Sequence, residues 1–205
     1  EATAWFERNW DPQLPLREWW ARLAESGWGF PTWPEGTYGR GLSGDAARLV
    51  AEARRDARVA PPPAGIAQNL AGPTIVAHGT PEQQARLLPG IVTGEIWCQL
   101  FSEPGAGSDL ASLATRATKV DGGWVIQGQK VWTSSAQRAD WGALLARTDP
   151  EAVKHRGIGY FLVDMTTPGI TVRPLRTASG DEHFNEVFFD DVFVPDGMLV
   201  GGPTA

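Results

Sequence analysis

Residues 90–109 read GIVTGEIWCQLFSEPGAGSD, and the character of the chain changes inside them. Before Gly94 apolar residues recur at helical spacing; after it, short β-rich runs recur between turn signals. On the helical side, Leu16 to Ser26 puts Leu16, Trp19, Trp20 and Leu23 on one face, and Gly27 stops the run. Gly29 to Gly44, GFPTWPEGTYGRGLSG, holds too many prolines and glycines for regular structure and reads as a fixed loop. A second helix is expected from Asp45 to about Val59. Leu49, Ala53 and Ala57 would form its inward stripe, Glu52, Arg54, Arg55 and Arg58 its solvated face, and Pro61–Pro63 its end. An apolar third helix covers Ile66 to Ala77. Thr80-Pro81-Glu82-Gln83 is then a helix start, with a capping Thr80, Pro81 in the first turn and Gln83 able to close a capping box. That helix turns Leu87 and Leu88 inward and runs toward Pro89.

On the other side of Gly94 seven runs read as strands: Ile96 to Phe101, Thr115 to Val120, Trp124 to Thr133, Gly142 to Thr148, Ile158 to Asp164, Gly169 to Pro174 and Phe184 to Val194. Asp121-Gly122-Gly123 is a short hairpin connection. The fold class is therefore α+β. An all-α domain over residues 1–95 precedes an antiparallel β-barrel or two-sheet domain over residues 96–205.

Composition bounds the function. The chain has 205 residues, 42% hydrophobic and 20% charged, which is globular and large enough to bury a core. A net charge of −6 offers no electrostatic footprint for nucleic acid. Cys98 is the only cysteine, in keeping with a reducing compartment, and the expected location is the bacterial cytoplasm. No apolar run approaches the ~20 residues of a membrane span. Six of the ten tryptophans fall in the first 33 residues, which marks a densely packed segment or one that meets a partner. His78, His155 and His183 are too scattered to suggest a metal site, and Asp190-Asp191 reads as a turn rather than a catalytic dyad.

FSEPGAGSD, Phe101 to Asp109, has the glycines of a nucleotide loop but fails both phosphate patterns. Leu110 stands where a dinucleotide fingerprint needs its third glycine, and the Gly-Lys-Ser/Thr of a P-loop is missing. The segment follows an apolar strand and can offer hydroxyls and bare backbone N–H groups to a polar heterocycle. A second element, Gln129 to Trp141, sets the flat indole of Trp132 beside Thr133, Ser134 and Ser135. Alone, PGAGS reads first as a turn, and a tryptophan beside serines as core packing; their joint occurrence is the specific signal.

With its flanking landmarks the chain resembles the acyl-CoA dehydrogenase family. The ordered series is GFPTWPEGTYGRGLS, GPTIVAHGTPEQQARLLPGIVTGE, QLFSEPGAGSDLASLATRA, GWVIQGQKVWTSSA, ALLARTDP, GIGYFLVDM, PGITVRPL and FNEVFFDDVFVPDGMLVG, from about residue 14 to 202. The resemblance implies the family's N-terminal helical domain and its middle β domain, which binds the flavin of FAD and part of the acyl-CoA. Gln99, Leu100, Phe101 and Ser102 match the strand that meets the flavin pyrimidine, with Ser102 donating its hydroxyl; many members have Tyr at Gln99. Gly107 lies in the same loop, and Ser108 matches the residue that touches acyl-CoA. Trp132 matches the indole packed against the flavin, Thr133 follows it, and Ser134 matches the hydroxyl that hydrogen-bonds flavin N5.

The implied reaction is α,β-dehydrogenation of an acyl-CoA thioester, with hydride passing to flavin N5. The base in this family is usually a glutamate of a C-terminal helical domain, which is expected beyond the small, polar GGPTA at residues 201–205, so no catalytic residue is assigned in this chain. Glu103 is read as tying the loop down. The implied partners are an electron-transfer flavoprotein and further subunits, as a homotetramer or a heteromer assembled through that helical domain. The alternatives are a non-catalytic subunit of a heteromeric dehydrogenase, and a flavin oxidase or monooxygenase on the same fold.

Overall fold

The computed structural model describes residues 1–202; Pro203–Ala205 lie outside the described residues. The chain forms two compact units, one of Glu1–Ala77 with Gln84–Glu95, the other of His78–Gln83 with the chain from Ile96 onward.

The first unit is helical: α1 is Ala2–Asn9, α2 Leu16–Glu25, α3 Gly44–Asp56 and α4 Gly72–His78. The early tryptophans pack mainly against one another and the helices. Phe6, Trp19 and Leu23 are completely buried. The Trp19 ring meets Trp10 edge-on at 4.8 Å between centroids, and Phe30 stacks on Trp33 at 4.6 Å. The Trp19 indole donates to the Ala60 carbonyl and that of Trp20 to Pro61, so the chain after α3 is held to α2. Gly27 ends α2 in the left-handed region, at φ +75°.

Three helix expectations change. The α3 helix stops at Asp56, and its inward residue is Val50, while Leu49 is 62% exposed. Val50, Ala53 and Ala57 satisfy helical spacing as well as a stripe through Leu49 does, so periodicity alone could not choose. Arg54 is half-buried rather than solvated and donates to the Val59 carbonyl just past the helix end. The third helix opens with a wide π turn, Ala67–Ala71, before α4. It sits directly ahead of Pro73, whose missing N–H and bulky ring disfavour a regular turn there. Finally α5, Pro81–Val92, continues through Pro89. Burying Leu87, Leu88, Ile91 and Val92 almost completely outweighs one lost hydrogen bond. The capping box forms as expected: the Thr80 N–H donates to Gln83 Oε1 at 2.9 Å and the Gln83 N–H to Thr80 Oγ1 at 3.2 Å.

The second unit is one eight-stranded, mostly antiparallel sheet. Its strands are β1 Trp97–Leu100, β2 Arg116–Val120, β3 Gly123–Ser134, β4 Trp141–Arg147, β5 Ile158–Asp164, β6 Ile170–Leu175, β7 Phe184–Pro195 and β8 Leu199–Val200. The order is β6-β7-β3-β2-β4-β5-β8, with β1 attached to β4, and no described pairing joins the two ends into a barrel. Two pairings are parallel, β1 with β4 and the short contact of β2 with β4. Asp190-Asp191 is not a turn but lies inside β7. Asp191 has φ +50° and its N–H bonds the Gln127 side chain, opposite a register shift in β3. This is a bulge, which leaves both carboxylates exposed.

Candidate functional site

The loop after β1 is tied at both feet. Glu103 and Ala106 exchange backbone hydrogen bonds at 2.7 and 3.1 Å, which makes Glu103–Ala106 a tight turn. The Glu103 carboxylate accepts from the N–H groups of Ala114 (2.6 Å) and Thr115 (2.9 Å), where the chain enters β2. It also meets the Lys130 ammonium at 2.7 Å. Lys130 is wholly buried and donates as well to the Phe101 carbonyl at 3.1 Å. Burial alone would raise the Glu103 carboxyl; hydrogen bonds from Lys130, Thr115 and Ala114, with the lysine charge, hold it below its ordinary value. Burial pushes the Lys130 ammonium down, against the opposing pull of Glu103. Glu103 is thus a structural anchor, as its place in the sequence implied.

The same pair locates the second element. The Val131 N–H donates to the Ser102 carbonyl at 2.9 Å, so Phe101–Glu103 runs alongside Lys130–Trp132. In β3 Lys130 and Val131 are buried in succession, where a regular strand alternates. The pairing with β7 shifts between Lys130 and Thr133. Trp132 takes the left-handed conformation at φ +59° and its indole is 62% exposed, edge-on to Phe184. A bulky side chain in that backbone region is strained and has to be held there by its surroundings.

Ser102 and Ser134, on either side of this indole in sequence, are half-buried, and Gln99 is exposed on β1. Leu100 is fully buried, so its side chain belongs to the core and only its backbone can face a ligand. Gly107 and Ser108 are exposed beyond the tied turn, and a Cβ at Gly105 or Gly107 would meet nothing within 4 Å. Thr133 is 1% exposed, and its Oγ1 has no hydrogen-bond partner among the described residues. Cys98 is excluded as a nucleophile, since burial pushes its thiol up to about 12.

Two positioning residues are missing from the sequence-based expectation. Asn185 is fully buried and donates to the Thr133 carbonyl at 2.9 Å and to Gln137 Oε1 at 2.7 Å, bracing the strand just after Trp132. Lys130 could have been suspected as a lysine inside an alternating apolar strand, one of only three lysines in the chain. Together an exposed, rigidly held indole, half-buried hydroxyls, an orphaned buried hydroxyl and an open, glycine-lined loop fit a flat heteroaromatic ring with a polar edge. A flavin has that shape and those edge groups.

Two family models match in chain order: "Acyl-CoA dehydrogenase, N-terminal domain" over residues 1–95 and "Acyl-CoA dehydrogenase, middle domain" over residues 98–192. Acyl-CoA dehydrogenase FadE34 of Mycobacterium tuberculosis is 57% identical over 189 residues, 92% of this chain and 26% of that protein. Among solved structures, the ChsE4-ChsE5 complex from Mycobacterium tuberculosis superposes with a TM-score of 0.75 at 34% identity, over all of this chain and 55% of that one. The Tcur3481-Tcur3483 steroid ACAD superposes at 0.74 and 33% identity, over 98% of this chain and 55% of that one. The chain thus spans about a quarter of the first relative's length and about half of each structural one.

Proposed function

The chain belongs to the acyl-CoA dehydrogenase family, and on that premise we propose that it serves an FAD-dependent α,β-dehydrogenation of an acyl-CoA thioester. The observation that carries the reading is Trp132, an indole kept 62% exposed on a strained backbone and followed two residues later by the half-buried Ser134. When bound, FAD supplies the acceptor for the β-hydride. The residues of this chain bind and orient. Trp132 offers a stacking face, Ser134 and Ser102 offer hydroxyl donors, and Gln99, Leu100, Phe101, Gly107 and Thr133 complete the wall. Ser108 offers its hydroxyl to the acyl-CoA. A donor already fixed where charge develops costs no reorganisation during reaction.

Glu103 is unsuited as the base, since its carboxylate is buried and shared among Lys130 and two backbone N–H groups. The base is proposed to come from a helical region outside these 205 residues, because the chain spans only part of each relative. A bacterial cytoplasmic lipid-oxidation role, such as fatty acid β-oxidation, with an electron-transfer flavoprotein as acceptor fits that reading. No helix among the described residues is long and apolar enough to cross a membrane.

The test is the flavin spectrum of the complete gene product, recorded anaerobically before and after a panel of acyl-CoA thioesters. Steroid thioesters belong in the panel because one structural relative is a steroid ACAD. Bleaching of a bound yellow flavin by one thioester establishes the reading and names the substrate class. A colourless protein that takes up no FAD sinks it. That result would favour a subunit awaiting a partner, a second reading supported by the similarity to one chain of the ChsE4-ChsE5 complex. Rapid reoxidation of the reduced protein by dioxygen would move the assignment to an oxidase or monooxygenase.

A further inference from the structure

The loop that carries Ser108 is an arch; Glu103 touches both of its ends, and Arg147 adds a separate fastening to the far one. Lys130 and Glu103 hold the foot next to β1. The other foot, Ala111–Leu113, is held by Arg147 at the end of β4. Its Nη2 donates to the Ala111 carbonyl at 2.6 Å, its Nε to the Leu113 carbonyl at 3.2 Å and its Nη1 to the Lys154 carbonyl at 3.3 Å. The Arg147 backbone N–H adds a bond to the Thr115 carbonyl at 2.7 Å. Leu113 is buried with Ala106 and Ile158 in a small cluster under the arch, with Leu110 and Leu145 packed against it. The crown between the feet, Gly107–Asp109, is exposed.

A planar guanidinium that spends three donors on backbone carbonyls acts as a clamp rather than as a charge, and a lysine cannot reproduce its fork. The two feet differ in what lies beyond them. The Lys130 foot leads into Trp132 and the proposed flavin wall, whereas the Arg147 side chain fastens Ala111 and Leu113, which adjoin the crown that bears Ser108. We propose that Arg147 is a positioning residue for acyl-CoA binding, fixing the crown so that Ser108 meets the thioester ligand without loss of loop entropy. The inference rests on the reading of Ser108 given under Proposed function. Loosening a clamp that acts on ligand binding alone raises KM and leaves the rate at saturation intact.

The experiment uses the complete, FAD-loaded gene product with Arg147→Met and Arg147→Lys. Hydrogen exchange over residues 105–114 reads the arch itself, and steady-state kinetics with an acyl-CoA substrate read its use. For Arg147→Met, exchange in the arch should quicken by about fivefold or more while the β3 peptides stay unchanged. Its KM should rise about tenfold with kcat within about twofold of wild type. Arg147→Lys should fall between the two, and it carries the test if the methionine variant does not fold. Unchanged exchange in the arch overturns the clamp. A kcat that falls as far as kcat/KM overturns the restriction to binding. Ser108→Ala separates the premise from the inference: an unchanged KM there sinks the reading of Ser108 and the substrate half of the proposal, whereas the exchange result judges the clamp alone.

Discussion

The Lys130 ammonium lies 2.7 Å from the Glu103 carboxylate, with the lysine side chain wholly buried and that of the glutamate nearly so. This pair joins the loop after β1 to the strand that carries Trp132. Removing one partner leaves the other charge desolvated, at a cost of about 3–5 kcal/mol. Lys130→Met should therefore lower the stability of the β unit by that order in denaturant unfolding. Adding Glu103→Leu to it should recover part of the loss, short of the bonds to Ala114 and Thr115. A double variant no better than the sum of the singles would show that the pair is uncoupled.

The acid limb of stability should follow the same carboxylate. Its folded pKa is lowered from 4.5, so its contribution is fully present above the unfolded value and is lost as pH falls through the folded one. Wild-type Tm should fall as pH drops below about 4.5, and Glu103→Gln should lack that component while starting from a lower Tm at neutral pH. Parallel Tm profiles for the two proteins would remove Glu103 as the source.

Trp132 separates stability from ligand binding. Its left-handed backbone costs about 1–2 kcal/mol, which glycine would relieve, and its side chain is mostly in solvent. Trp132→Gly should change unfolding free energy by less than about 1 kcal/mol while weakening FAD binding more than about tenfold, as an aromatic stacking surface is lost. The check is thermal unfolding beside an FAD titration of the complete protein. A large fall in stability with FAD affinity intact would make the indole a packing residue.

Ser134→Ala should slow flavin reduction by an acyl-CoA about tenfold in stopped-flow measurements, since one hydrogen bond of about 1–1.5 kcal/mol is lost in the transition state. An unchanged rate takes Ser134 out of the chemistry.

At the start of α5, Thr80→Ala should cost about 1 kcal/mol, the usual value of a lost cap. Gln83→Ala should cost more. The Gln83 amide also donates to the carbonyls of Gly197 (2.9 Å) and Leu199 (3.0 Å), so its removal takes away two further hydrogen bonds. Equal losses in urea titrations of the two variants would show that the second role carries no weight.

The amino-acid sequence by itself determined the order and type of most elements, though the short α1 at Ala2–Asn9 was not among those it announced. Alternation over Trp124 to Thr133, the capping box at Thr80–Gln83 and the break at Gly27 are interactions within a few residues, and they survive translation into structure almost unchanged. The two-residue β8 escaped notice because Leu199–Val200 is too short to carry a period. The segments FSEPGAGSD and KVWTSS, which carry the proposed flavin contacts, are legible in the sequence as well.

Other features were settled only by the tertiary structure. Two stripes of α3 were equally periodic, and neighbours distant in the chain chose Val50 over Leu49. The α5 helix ran through Pro89 because the core it reaches is worth more than the bond it loses. The parallel pairing of β1 with β4, the burial of Lys130 against a glutamate 27 residues earlier, and the left-handed turn of Trp132 depend on contacts between segments far apart in sequence. Local propensity sets which element a segment forms, because its energies are felt within a turn or a strand. Which face is buried, and which residue must accept strain, is fixed by partners that the chain brings together only on folding.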